Sequence, residues 1–192
     1  MKKFLVLFVL IVIVGIGYYY FLNNESNQSV DNQPSNNNII NQTKPMKITS
    51  SAFEHNQNIP AKYTCDGEGV NPPLEFGNVP ENASSLVLIM DDPDAPMGTW
   101  VHWTIWNIDP SIYQIEENSV PVKVIQGKTS SGQNKYGGPC PPSGRHRYFF
   151  KLYALDVPKL ELPSYSDKAA LEAAMGGRII DKAELMGLYN RQ

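Results

Sequence analysis

The sequence predicts a mainly β domain, an antiparallel sandwich or barrel-like core with short peripheral and C-terminal helices, preceded by an N-terminal membrane helix. Three observations carry that prediction. Three runs rich in β-branched and aromatic residues have the length of buried strands. Gly and Pro, 14 and 15 of 192 residues, supply more turn formers than a helical bundle carries. An uncharged apolar stretch stands at the very start.

That stretch is Phe4 to Leu22, behind Lys2 and Lys3. As a helix at 1.5 Å per residue it spans about 28 Å, enough for a bilayer core. The lysines put the N-terminus in the cytoplasm and the remainder outside, and Tyr18, Tyr19 and Tyr20 fall where an aromatic belt is expected. No small-x-small cleavage site and no lipid-accepting cysteine follows. The reading is an uncleaved signal anchor over 1–22, with a single-pass location in the cell membrane and the globular part extracytoplasmic. A cleaved signal peptide, giving a secreted or periplasmic protein, is the alternative. Residues 23–45 are a linker dominated by Asn, Gln and Ser. As a flexible coil it reaches about 25 Å root-mean-square. It contains three N-glycosylation triplets, at Asn24, Asn27 and Asn41.

The globular domain occupies 46–192. Met46 to Phe53 reads as a first strand. Ser85 to Asp91 is a continuous apolar run, the pattern of a strand buried on both faces. Trp100 to Ile108 and His146 to Leu155 are the other strong strands. Val120 to Gln126 is weaker, and Pro121 confines it to an edge or a strand start. Late in the chain, Ser166 is placed to cap a helix over Asp167 to Met175 that Gly176-Gly177 ends. Asp181 to Tyr189 reads as a second short helix, weakened by Gly187.

Charge limits the function classes. Lys and Arg number 16 against 19 Asp and Glu, a net charge of −3, so no basic surplus exists to track a phosphate backbone and nucleic acid is not an expected partner. Two cysteines are too few for a disulfide scaffold or a four-thiolate zinc site.

Two local sequences carry chemistry. One is Asp91-Asp92-Pro93-Asp94-Ala95-Pro96, followed by Trp100-Val101-His102-Trp103; the other runs from Tyr136 to Tyr148 through Gly137-Gly138, Pro139-Cys140-Pro141-Pro142 and His146. Alternation along a strand puts His146 and Tyr148 on one face, and His102 on the face of Trp100, Thr104 and Trp106. Asp92 and Asp94 follow a buried strand in a proline-held turn. Imidazole N–H, phenol O–H and backbone N–H donors near a carboxylate suit a compact anion. The same residues also have a purely structural reading: a rigid turn whose carboxylates accept backbone N–H groups, Trp100, Trp103 and Trp106 in core or rim packing, and satisfied strand histidines. His55, among Glu54, Asn56 and Gln57, reads as a surface residue.

Together these segments resemble the signature of the phosphatidylethanolamine-binding protein family, in its bacterial and archaeal, Raf-kinase-inhibitor-like branch. The ordered match is DPDAP, then His102-Trp103, then GP-x-PP-x-G-x-HRY ending at Tyr148. Ile59 to Gly67, Asn71 to Leu74, Leu152 to Asp156 and Ala183 to Tyr189 are also similar to that branch. The resemblance implies antiparallel sheets with peripheral helices. It also implies an anion pocket for phosphate-like groups, phospholipid heads or phosphorylated residues, carried over to Asp92, His102, Pro141, Pro142, His146 and Tyr148. The reading of the residues themselves adds Asp94. The turn between Pro142 and His146 is short relative to the eukaryotic pattern, and the long C-terminal helix of animal members has no evident counterpart. An exported domain does not meet a cytosolic kinase, so kinase inhibition is not carried over.

Cys65 and Cys140, both in loops of an exported domain, are read as a disulfide, with a catalytic thiol near His146 as the alternative. The leading functional expectation is a membrane-tethered binding module for a small anion or phospholipid head group, not an enzyme, and with no cofactor or metal. Peptidase inhibition, known among family members, is the alternative. A hydrolase using the His/Asp pocket and a purely structural envelope role stand behind it.

Overall fold

The computed structural model describes residues 44–191. The expected anchor helix, the glycosylation triplets and all of the expected linker but residues 44–45 lie outside the described residues. Among the described residues, no helix is long and apolar enough to cross a membrane.

Among the described residues, eight strands and one α-helix follow in the order β1 (Lys47–Thr49), β2 (Leu74–Gly77), β3 (Ser85–Asp92), β4 (Trp100–Ile108), β5 (Gln114–Ile115), β6 (Ile125–Gln126), β7 (Arg145–Leu155), α1 (Lys168–Met175) and β8 (Ile179–Asn190). A single 3-10 turn spans Ala61–Tyr63. The strands form two antiparallel sheets, β1-β2-β5 and β6-β4-β3-β7-β8.

β3 lies at the centre of the larger sheet, and all its residues are buried. Leu86, Leu88 and Met90 face the core shared with the small sheet, against Ile48, Leu74 and Phe76. Val87 and Ile89 face the opposite side, which Leu171 and Met175 of α1 cover together with Trp106. A strand buried on both faces needs no polar alternation, which explains the uninterrupted Leu86-Val87-Leu88-Ile89-Met90. Asp91 ends the helix side of β3 as a buried carboxylate. Lys151 Nζ donates to both its oxygens at 2.7 and 2.9 Å, and Lys168 of α1 lies 3.6 Å away.

The expected helix over Asp181 to Tyr189 is instead β8, paired with β7 from Arg145↔Asn190 to Leu155↔Ile179. Leu185, Gly187 and Tyr189 point inward, a period of two that nine residues also compatible with a helix leave ambiguous. Gly187 is required by close approach, because a Cβ there would lie 2.5 Å from Ile59 Cγ1 and 2.8 Å from Phe53 Cε2. Three further expectations are trimmed. The first strand contracts to Lys47–Thr49. The strand at Val120 to Gln126 contracts to Ile125–Gln126, behind Pro121 and a Lys123 with φ 63°. The helix begins at Lys168 with Asp167, not Ser166, as its cap, since Asp167 Oδ1 accepts the Ala170 N–H at 2.9 Å.

Candidate functional site

The carboxyl end of β3, the start of β4 and the start of β7 converge at one end of the large sheet. Asp92 is the last residue of β3 and is 3% exposed. Its Oδ1 accepts the Asp94 N–H at 2.8 Å, which fixes the Asp92-Pro93-Asp94 turn. Its Oδ2 accepts from His146 Nδ1–H at 2.8 Å, and His146 is 6% exposed.

His102 is positioned by a fault in the sheet. Met90 pairs with Trp103 and Asp91 with Val101, so His102 is the extra residue of a bulge. The bulge breaks the strict alternation expected of this strand. Trp106 packs on the α1 side, and Thr104 lies beside it over Gly127. The His102 ring instead meets the edge of Tyr148, whose side chain is in the sandwich core (centroids 5.2 Å apart, planes 75°). The ring of Tyr148 stacks on its other neighbour, His146, at 6.5 Å. One phenol ring thus neighbours both imidazoles.

The loop 136–142 closes the site. Gly137 N–H donates to the His102 carbonyl at 2.9 Å, and His102 Nδ1–H donates back to the Gly137 carbonyl at 2.8 Å. A carbonyl only accepts, so the proton is on Nδ1 and Nε2 is left with a lone pair. Burial pushes the His102 pKa below its ordinary value; the Gly137 carbonyl and the Asp92 and Asp91 carboxylates oppose that shift, and His146 adds to it. That direction favours the neutral ring. Burial, reinforced by the Asp92 charge, raises the Tyr148 pKa, and its hydroxyl has no hydrogen-bond partner among the described residues.

These groups border a cavity of about 450 Å³. Its polar side chains include Asp92 and His102, and much of its wall is apolar: Pro96, Met97, Trp100, Val101, Pro141 and Pro142. Met97 is 94% exposed and Trp100 39%, so the mouth has an apolar lip. Asp92, His102, Pro141 and Pro142 are therefore brought together as the motifs suggested. The other three expected residues stand elsewhere. Tyr148 is fully buried behind the imidazoles. His146 opens into a neighbouring hollow that Asp94, Arg145 and Arg147 also line. Asp94 is held there by Arg147, whose NH2 and Nε groups donate to it at 2.6 and 2.9 Å and whose backbone N–H adds a bond at 3.0 Å. Those bonds hold the Asp94 pKa down to about 2. Trp100 takes the rim position that its sequence allowed, whereas Met97 and the orienting carbonyl of Gly137 were not singled out from sequence. Only the Gly137-Gly138 pair left a signal, as a turn.

Cys65 and Cys140 form a disulfide, with Cα atoms 5.4 Å apart. Cys140 lies in the cavity wall, so the thiol expected as an alternative is absent from this oxidised form. Among the described residues, no group of three His, Cys, Asp or Glu side chains is arranged to hold a metal ion.

A family model described as phosphatidylethanolamine-binding protein matches residues 49–190. The chain belongs to the phosphatidylethanolamine-binding protein family. A UPF0098 protein of Methanothermobacter thermautotrophicus is 48% identical over 151 residues, covering 76% of this chain and 99% of that protein. One from Chlamydia trachomatis is 43% identical over 151 residues, again covering 76% and 99%. Among solved structures, a family homologue from Chlamydia trachomatis superposes with a TM-score of 0.74 at 43% identity, covering 77% of this chain and 99% of that one. The Escherichia coli family member YbcL gives 0.74 at 27% identity, covering 78% and 100%. The family match spans every strand of the large sheet and so includes the whole cavity.

Proposed function

We propose that the protein is a non-enzymatic binding module whose cavity takes a phosphate-like anion, free or as the head of an amphiphile, beside Asp92 and His102. One observation carries this reading: a buried His102, its Nδ1 held by the Gly137 carbonyl, lines a largely apolar cavity beside Asp92. An acceptor pair, Nε2 and a carboxylate, repels a bare anion. Binding therefore requires a proton, either on the ligand as a P–O–H group or taken up by His102. The protonated ring donates to the anion, and the Gly137 carbonyl keeps its orientation. The cavity is larger than a phosphate group needs, and Pro96, Met97 and Trp100 offer the remaining space to an apolar ligand body.

The domain is exported and tethered in this proposal. Met46, whose N–H meets Asp181 at 3.3 Å, enters at the end of the β7–β8 pair remote from His146. Eight residues of strand at about 3.4 Å each separate the two ends, about 27 Å. The cavity thus lies at the end of the domain remote from Met46.

Calorimetric titration of the full chain in a phosphate-free detergent, first with phosphate and then with glycerophosphoethanolamine, tests the reading. Saturable binding of either, weakened at least about tenfold in His102→Asn, is expected, since a buried charge-assisted hydrogen bond is worth about 1.5–3 kcal/mol. Equal affinities in the wild type and the variant would overturn it.

A further inference from the structure

The cavity wall is tied down by the sulfur bridge, and that bridge is open to solvent. Both cysteines are exposed, and Cys140 lines the cavity between Pro139 and Pro141. The segment carrying it, 137–142, also holds the Gly137 carbonyl that orients His102. On the far side of the bridge lies 61–66, fixed against the same loop by the Cys65 N–H to Pro139 carbonyl bond at 3.1 Å and the Tyr136 hydroxyl to Tyr63 carbonyl bond at 2.8 Å. Gly138 packs so closely there that a Cβ would lie 2.8 Å from Thr64 Cα. Among these ties the disulfide is the covalent one, and it joins segments 75 residues apart.

We propose that Cys140 is a thiol-exchange site and that the Cys65–Cys140 bridge is a redox latch on the anion cavity. The inference rests on the binding reading given above. The co-reactant is a small dithiol reductant. One of its thiolates enters the cavity mouth and attacks Cys140 Sγ; the S–S bond breaks and Cys65 leaves as a thiolate, taking a proton from water. The second thiol of the reductant then attacks the mixed disulfide, forming the reductant's own disulfide and releasing Cys140. Two electrons and two protons pass to the protein. The loop keeps its hydrogen bonds to 61–66 but loses its covalent stop, so the Gly137 carbonyl no longer holds His102 as firmly. The oxidised form is the tight-binding one.

The test treats the full chain, without denaturant, with a millimolar dithiol. Alkylation followed by mass spectrometry counts free thiols, while imidazole NMR signals follow a phosphate titration. Both cysteines are expected to become alkylatable with the amide spectrum still dispersed. Phosphate affinity is expected to fall about tenfold, the equivalent of about 1.4 kcal/mol. Reoxidation is expected to restore it, and Cys65→Ser with Cys140→Ser to hold the weak state permanently. Unchanged affinity in the reduced, folded protein would overturn the proposal. So would a bridge that resists reduction until the chain is denatured, or a reduced protein that unfolds, because the bridge is then only a staple. If the oxidised protein shows no phosphate response, the binding reading fails separately. The latch then stands if reduction alone shifts the His102 ring signals, and falls if it leaves them in place.

Discussion

Anion affinity should depend steeply on pH, with its origin in His102. Sulfate is the appropriate ligand because it carries no proton to donate between pH 5 and 8. It therefore needs the protonated ring, whose population the folded protein suppresses. The ring is 6% exposed, and burial outweighs the nearby Asp92 and Asp91 charges, placing its pKa below 6.5. When only the protonated fraction binds, the apparent Kd is the intrinsic Kd divided by that fraction. Above the pKa the fraction falls tenfold per pH unit, about 1.36 kcal/mol each. Moving from pH 6 to pH 8 should thus weaken sulfate binding by at least about 25-fold, the figure for a ring left at the ordinary 6.5, and by more, toward about 100-fold, the further burial lowers it. Calorimetry in two buffers of different ionisation enthalpy should count close to one proton taken up per sulfate at pH 7. His102→Asn should bind weakly at every pH, with no slope. A flat profile in the wild type, or no proton uptake, would refute the assignment of His102 as the proton carrier. Stability without ligand follows the opposite sign. The unfolded chain binds a proton that the folded one refuses, so unfolding free energy should fall as pH drops below about 6.5, and sulfate should offset that loss.

Three further outcomes are expected. Gly187→Ala forces a methyl into Ile59 and Phe53 and should lower stability by about 1–3 kcal/mol in urea titrations, with the histidine signals of the cavity unmoved. Arg147→Ala should lower stability only slightly, since the guanidinium is exposed, and should remove the part of the acid destabilisation that falls between about pH 4 and pH 2 as Asp94 takes up its proton. Replacing both cysteines by serine should lower unfolding free energy by up to about 4.5 kcal/mol in the chain-entropy model for a loop of this length, seen as a lower denaturation midpoint.

The strands that carry their own pattern were legible in the sequence. β3, β4 and β7 are read within a residue or two because their burial is written into runs such as Leu86 to Met90. β8 was not legible, because Asp181 to Tyr189 has acceptable helical composition and becomes a strand only through its partners on β7 and the contact of Gly187 with Ile59. The site divides in the same way. Asp92, His102 and the two prolines are fixed by local turns and strand ends, so their motifs identify them. Where His102 points depends on a bulge, and a bulge is a property of pairing with β3 rather than of the Trp100 to Ile108 sequence. Asp94 looked like a pocket carboxylate because nothing in its turn announces Arg147, which follows 53 positions later. Trp100 was readable as rim or core packing, but the part Met97 plays in the lip is visible only once the cavity beneath it exists.

The central claim is that His102 receives an anion in this cavity, and its imidazole spectrum is the most direct witness. The chain has three histidines, so assignment is tractable. On titration with phosphate and then phosphoethanolamine, His102 is predicted to move most as Nε2 gains its partner. His146 should follow through Asp92, and His55 should stay still. Saturation of the first two at a common Kd supports the account; three silent histidines at millimolar ligand, or movement of His55 alone, would contradict it.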